Sequence, residues 1–356
     1  MQITGLTFRR LSMGLREPYR IAYETVDRVD NVFLQIETDT GVTGIGCAAP
    51  DLAVTGETCD SVEKALDEAT GFLVGRDPLR FAALQEDMRE ALRPHPSARA
   101  ALDMAAFDIL GKVAGLPVYV LLGGFRERIL TSVTIGILPE TETVAAARER
   151  AAQGFLALKL KGGLDVEGDA ARVLAVRRAV GPGIALRFDA NQGYTAEQTM
   201  SFLEACASAG LELLEQPTPK GEPDLMERVT RDALLPIMAD ESLLTLRDAF
   251  RIARDDLADM VNVKLMKVGG IAEAVQINSV ARAARLETMV GCMDESGLAI
   301  AAGLHFALAR PNVAFADLDG HLDLVGDPYG DAVRLENGYL YPSGDPGLGV
   351  PDRLFI

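Results

Sequence analysis

Six charged residues in the middle of the chain sit at the ends of short β-rich runs, and their types define a chemistry. They are Lys159 and Lys161 in LKLKGG, Asp189 in RFDANQG, Glu215 in LLEQP, Asp240 in MADES and Lys264 in NVKLMKVGG. Three carboxylates converging from adjacent strands repel one another unless a cation lies among them. An oxygen-only set without histidine suits a hard ion, magnesium or manganese, and not zinc. One such acid alone would read as the cap of the helix that follows it. Three on consecutive strands read as a metal site.

In residues 155–161, period-two alternation puts Lys159 and Lys161 on one face, with Leu158 and Leu160 on the other. Two inward lysines are expensive to bury unless a site uses them. Lys264 shares a face of its own run with Asn262, and in a parallel barrel it would stand opposite Lys161 across the acids. A divalent cation among the acids, with Lys159 beside it, would neutralise negative charge developing on a bound substrate. Burial next to another cation lowers a lysine's pKa, so that it can act as the base. Two bases on opposite faces allow removal on one side and return on the other, as in a racemase or epimerase. A lactonising or dehydrating enzyme can retain the same pair.

The elements that would hold these groups alternate regularly. β-Rich runs at 132–137, 156–161, 184–189, 211–215, 237–240, 261–264, 288–291 and 313–316 are separated by amphipathic stretches such as 142–153, 166–180, 196–208 and 271–284. Eight strand–helix units predict a (β/α)8-type barrel, with functional groups at the strand ends. A doubly wound open sheet is the competing arrangement. Ahead of the barrel, 31–38 and 42–48 read as strands joined by a turn at Asp39-Thr40-Gly41. Helices follow at 61–74, 78–92 and 97–114, with Ser97 as the N-cap of the last. GVTGIG at 41–46 superficially matches a dinucleotide fingerprint, but it opens no helix and is rejected as one. The expected division is an α+β capping domain at 1–125, a barrel at 126–320, and a segment at 321–356 returning to the cap.

Composition narrows the function classes. The 356 residues carry 35 basic and 52 acidic side chains, a net charge of −17, which disfavours nucleic acid and anionic membrane as partners. With no tryptophan and few aromatics, base stacking is disfavoured too. At 48% hydrophobic residues the chain can bury a full core. Its four cysteines, Cys47, Cys59, Cys206 and Cys292, form no C-x-x-C pair, so neither zinc nor a disulfide framework is suggested. The N-terminal MQITGLTFRR has no apolar signal core, and the apolar stretch 297–309 is too short to span a bilayer. A soluble cytoplasmic protein is expected.

The K-x-K at Lys159–Lys161, the acids in DAN, EQP and DES, and Lys264 in NVKLMKVGG together resemble the enolase superfamily, specifically its muconate-lactonising-enzyme-like subgroup. The similarity covers nearly the whole chain, including SARAALDMAAFDILGKVAGLPVYVLLGG, which joins cap to barrel in such proteins. It implies Mg2+, proton abstraction next to a carboxylate, a metal-stabilised ene-diolate and a homo-oligomer.

Asp317 and Asp319 in FADLDGH are spaced i, i+2, so on an extended segment they face the same way and suit a cation. Without further context they read equally well as loop acids. The pair resembles that of the subgroup's dipeptide epimerases, whose two acids hold the α-ammonium of the first residue. A dipeptide substrate, epimerised at its second residue, is therefore expected over succinylbenzoate, muconate or an N-succinyl amino acid, none of which has a free ammonium. Where the segment resembling PYRIAYETV carries an arginine in Ala–Glu epimerases, this chain has Glu24. Asp51 lies in the second cap loop, and Asp294 stands in GCMDES, where an apolar residue is more usual. These three acids predict a cationic, Lys- or Arg-containing dipeptide; as solvated loop acids they would carry no such meaning. The alternatives within the subgroup are a cycloisomerase, an o-succinylbenzoate synthase or an N-succinylamino acid racemase. Outside enzymes, the alternative is a metal-dependent dipeptide-binding protein.

Overall fold

A computed structural model describes residues 1–20, 25–351 and 354. The chain opens with two long strands, β1 (Ile3–Arg20) and β2 (Thr25–Thr38), paired antiparallel, and a shorter β3 (Thr43–Ala48) on the far side of β2. Helices α1 (Cys59–Leu73), α2 (Phe81–Ala91) and α3 (Pro96–Ala114) pack on this sheet. The expected strands and helices of this region are present. β1, which the sequence analysis did not place, is added.

Helix α3 is apolar on nearly all sides because it is enclosed, and its closest approach is to β3. A Cβ on Gly44 would lie 2.1 Å from the Ala105 carbonyl oxygen, and one on Gly46 would lie 1.9 Å from that of Ala101. The glycines of GVTGIG therefore let helix backbone rest on strand backbone. The expectation that Ser97 caps α3 is corrected. Helix α3 begins at Pro96, and its first-turn N–H groups of Ser97 and Ala98 donate to the buried carboxylate of Glu57 at 2.8 and 3.4 Å. A full negative charge at a helix N-terminus does the same work as a capping hydroxyl, and more strongly.

After the short α4 (Val118–Leu121) and β4 (Ile129–Leu130), eight parallel strands follow in sequence order. They are β5 (Val133–Ile135), β6 (Ala157–Lys161), β7 (Ala185–Asp189), β8 (Leu211–Glu215), β9 (Ile237–Ala239), β10 (Met260–Lys264), β11 (Glu287–Gly291) and β12 (Val313–Asp317). Helices α5 (Glu140–Ala152), α6 (Val166–Val180), α7 (Ala196–Cys206), α8 (Pro223–Asp232), α9 (Leu246–Arg254), α10 (Leu265–Val268), α11 (Ile271–Ala283) and α12 (Gly297–Ala309) fall between them. An isolated bridge, Thr131 to Ala316, joins the two ends of the row, so the sheet is a nearly closed barrel. Strands in sequential order with joined ends set the doubly wound alternative aside.

Inside the barrel, below the strand ends, Leu213, Met238, Met260 and Met289 pack with Phe315 as an apolar plug. Helix α12, the apolar stretch 297–309, is buried along its whole length. Among the described residues no helix is long and apolar enough to cross a membrane. Beyond the barrel, β13 (Leu324–Val325) pairs with β1, Leu15 opposite Leu324, while β14 (Val333–Glu336) and β15 (Tyr339–Pro342) form a small sheet with β4.

Candidate active site

Lys161, Asp189, Glu215 and Lys264 are the last residues of β6, β7, β8 and β10, and Asp240 directly follows β9. Strand register places Lys161 beside Asp189, and Asp189 beside Glu215. One carboxylate oxygen from each of Asp189, Glu215 and Asp240 lies within 4.8 Å of the others, and all three residues are buried. None of them caps a helix. Thr195 and Thr245 form the capping boxes of α7 and α9, and α8 starts with Pro223 in its first turn.

The donor chemistry fits magnesium. Glu215 Oε2, Glu241 Oε2 and Asn191 Oδ1 are buried acceptors without a hydrogen-bond partner. Burial, and then the charge of Asp189, push the Glu215 carboxyl up to about 8. Burial followed by Asp240 pushes Glu241 up to about 7. A cluster of unsatisfied hard oxygens whose charges repel is the environment that a divalent cation relieves.

The lysines flank this cluster. Lys161 Nζ is 2.7 Å from Asp189 Oδ2, and Lys264 Nζ is 3.0 Å from Asp240 Oδ2. Their strands are four apart in a ring of eight, so they approach from opposite sides. The expectation that burial and a neighbouring cation lower the lysine pKa is corrected for two of them. Burial lowers Lys264, but Asp240 and Glu215 outweigh it and hold the ammonium well above the usual lysine range. Lys159 is likewise depressed by burial and raised further by Asp317 and Glu215. With the carboxylates uncompensated, the ammonium ions supply the neutralising charge.

Two further residues went unnoticed in the sequence. Lys267, one turn after Lys264, is buried and contacts the Asp240 carboxylate while donating to Asp240 O at 2.5 Å and Asn262 O at 3.2 Å. Gln216, next to Glu215, accepts from the Asp240 N–H at 2.9 Å and donates to Ser242 Oγ at 2.9 Å, locking two strand-end loops together. It does so at φ 33, and Asn191 and Gln192 also have positive φ, 43 and 68. Such backbone is costly for residues other than glycine and concentrates at functional sites. The K-x-x-K spacing signalled Lys267. Nothing local signalled the reach of Gln216.

A cavity of about 500 Å³ opens above the acids, and Lys159, Lys161, Lys264, Asp317 and Asp319 all line it. Asp317 contacts Lys159 and accepts from Ser132 Oγ at 2.6 Å. Burial raises its carboxyl, but Lys159 and Ser132 hold it below the usual carboxylate range. Asp319 accepts from the Thr134 N–H at 2.6 Å, and burial together with Asp317 pushes it up. Asp51 and Asp294 line the same cavity. Asp51 Oδ1 accepts from the N–H groups of Ala53 and Val54 at 2.7 and 2.8 Å, so that oxygen is committed to its own loop. Glu24 lies outside the described residues. Acidic residues outnumber basic ones along the wall, with Glu17, Glu149 and Asp323 adding to those expected from the sequence.

Residues 3–123 match the mandelate racemase / muconate lactonizing enzyme N-terminal domain, and residues 142–351 match the enolase C-terminal domain-like family. The chain is 40% identical over 352 residues to the L-Lys-D/L-Arg epimerase of Methylococcus capsulatus, covering 98% of this chain and 99% of that protein. A structure of the M. capsulatus dipeptide epimerase complexed with Mg and L-Arg-D-Lys superposes with a TM-score of 0.92 at 39% identity, covering 98% and 99% of the two chains. The substrate-liganded L-Ala-D/L-Glu epimerase of Bacillus subtilis superposes with a TM-score of 0.96 at 36% identity, covering 98% of each chain. By sequence over both halves, and by fold over almost its full length, this chain belongs to the mandelate racemase / muconate lactonizing enzyme family of the enolase superfamily.

Proposed function

We propose that the protein is a magnesium-dependent dipeptide epimerase that inverts the α-carbon of the second residue of Lys- or Arg-containing dipeptides. The observation that carries this is the placement of Lys161 and Lys264 on opposite sides of one buried acid cluster, in a cavity that Asp317 and Asp319 also line. Asp189, Glu215 and Asp240 would hold the magnesium, which when bound supplies Lewis-acid stabilisation of the negative charge developing on the substrate carboxylate. With a divalent ion neutralising the acids that otherwise hold the lysines charged, one of Lys161 and Lys264 can stand as free amine and take the α-proton: the C–H bond breaks, an N–H bond forms, and the electron pair moves onto the carboxylate. The other, as ammonium, returns a proton to the opposite face. Lys159, 3.7 Å from Glu215 Oε2 and in contact with Asp317, adds positive charge between the carboxylate and ammonium ends. Asp317 and Asp319 receive the α-ammonium of the first residue.

The acid-rich wall and the similarity to an L-Lys-D/L-Arg epimerase support a cationic substrate. Glu24, Asp51 and Asp294 are the residues to which we assign that preference. The same reading takes 1–125 and 321–356 as cap and 126–320 as barrel, supported by the pairing of β13 with β1. It also includes a homo-oligomer in the cytoplasm, the compartment supported by four free cysteines.

A dipeptide library incubated with protein and magnesium in deuterated water tests the activity. Lys- and Arg-containing members should gain deuterium at the second residue's α-carbon, ahead of acidic ones. Dipeptides bound without any exchange would make the protein a binding protein instead, and turnover of succinylated or lactonisable acids alone would make it a different member of the family. Specificity has its own check. A charge-assisted hydrogen bond of about 1.5–3 kcal/mol to a cationic side chain, exchanged for like-charge repulsion, gives roughly a hundredfold preference. Glu24→Arg should move that preference toward acidic second residues in competition assays. A wild-type protein that prefers Ala–Glu would remove Glu24 from the specificity site and leave epimerisation standing.

A further inference from the structure

Arg187 is 2% exposed, the largest of the fully buried side chains, and it lies within the barrel wall directly below the strand ends. Burying a guanidinium requires partners on every side. Arg187 Nε donates to Glu212 Oε2 at 3.0 Å, and a one-residue bulge between β7 and β8 falls where Glu212 sits. Arg187 Nη1 donates to the Ala316 carbonyl at 3.0 Å and to Ser132 Oγ at 3.2 Å, and the guanidinium lies 4.9 Å from the centre of the Phe315 ring.

The contact with Ser132 determines where the serine hydrogen goes. Arg187 has only donors, so the hydroxyl accepts from it and its own hydrogen must point elsewhere. The available acceptors are Asp317 Oδ1 at 2.6 Å and Ala316 O at 3.5 Å. The first is short and well placed, and Ser132 is completely buried, so no solvent competes for it. A chain therefore runs from Glu212 through Arg187 and Ser132 to Asp317 Oδ1. It fixes the rotation of that carboxylate and leaves Oδ2 to a cation on the cavity side, where Lys159 meets it.

We propose that Ser132 and Arg187 are positioning residues for substrate recognition. They hold Asp317 in the one orientation that presents Oδ2 to the substrate's α-ammonium. The inference rests on the assignment of Asp317 as an ammonium ligand. Neither residue touches the reacting atoms, so their contribution is to affinity and not to proton transfer.

The test compares wild type, Ser132→Ala, Asp317→Asn and the double variant, loaded with magnesium, on L-Lys-L-Arg, following epimerisation across substrate concentrations. Losing a hydrogen bond to a charged group should raise KM about tenfold in Ser132→Ala, with kcat within about threefold. The double variant should be no worse than Asp317→Asn alone, because Ser132 acts only through Asp317. An unchanged KM in Ser132→Ala, a loss of kcat in place of affinity, or a KM rise that adds to that of Asp317→Asn each overturns the positioning role. If Asp317→Asn itself leaves KM unchanged, the ammonium assignment fails first and takes the inference with it. If Ser132→Ala does not fold, Ser132→Cys keeps the volume with a weak donor and should show the same KM rise; wild-type KM there overturns the proposal.

Discussion

Lys161→Ala and Lys264→Ala should each lower epimerisation by about a thousandfold, the middle of the range over which a general acid or base contributes. Magnesium binding should persist, because neither side chain is a hard anionic ligand. The informative part is the asymmetry. Each lysine stands on one side of the acid cluster, Lys161 on Asp189 and Lys264 on Asp240, so each faces one side of a substrate held there. A variant lacking one base should still exchange the α-proton of the epimer served by the other, while interconversion of the two falls by that factor. NMR in deuterated water, run separately on the two epimers, reads this directly. Near wild-type turnover in either variant would remove that lysine from the mechanism. Equal loss of exchange on both epimers would argue for a single base.

The second large effect concerns the metal. Asp189→Asn, Glu215→Gln and Asp240→Asn should each weaken magnesium by more than the roughly 100-fold associated with an outer-shell partner, and activity should fall with it. Burial raises Glu215 from 4.5 to about 8. A carboxyl with a raised folded-state pKa costs the metal-free fold stability as pH climbs between those values. Magnesium should therefore raise the wild-type Tm strongly at pH 8. Glu215→Gln, free of that charge, should melt no lower than wild type without metal and show little shift with it. Full activity after exhaustive chelation, or an unchanged magnesium shift in all three variants, would contradict the metal site.

The parts of this molecule that could be read from the sequence are those where the relevant signal is local. Barrel strands combine period-two alternation with a charged residue at the end, so β6 to β8 and β10 were placed within a residue or so and their terminal acids and lysines with them. Strand β1 was not, because its faces are only partly buried and arginines interrupt the pattern at Arg9, Arg10 and Arg16. The N-terminus of α3 misled for a different reason: a serine stood at the expected cap, but the charge that caps the helix is Glu57, 40 residues upstream. Ser132, Arg187 and Gln216 were invisible for the same reason. Each does its work through a partner on another strand, and no window of sequence contains both.

One feature of the barrel bears on how it moves. Strand β12 meets the run leading into β5 at a single bridge, Thr131 to Ala316, whereas every other neighbouring pair in the barrel shares at least two. Around that joint, side chains substitute for the missing ladder: Thr131 Oγ1 receives the Leu318 N–H, Asp319 receives the Thr134 N–H, and Ser132 reaches Asp317. A ring breathes most readily where fewest backbone bonds resist it. Here that place is the end of the cavity where Asp317 and Asp319 are proposed to receive the ammonium, while β6 and β10, which end in Lys161 and Lys264, each share five paired positions with a neighbour. Thermal opening of the barrel would then loosen the grip on one end of a substrate while leaving the reacting carbon held, so a stiffer seam would slow release before it altered chemistry.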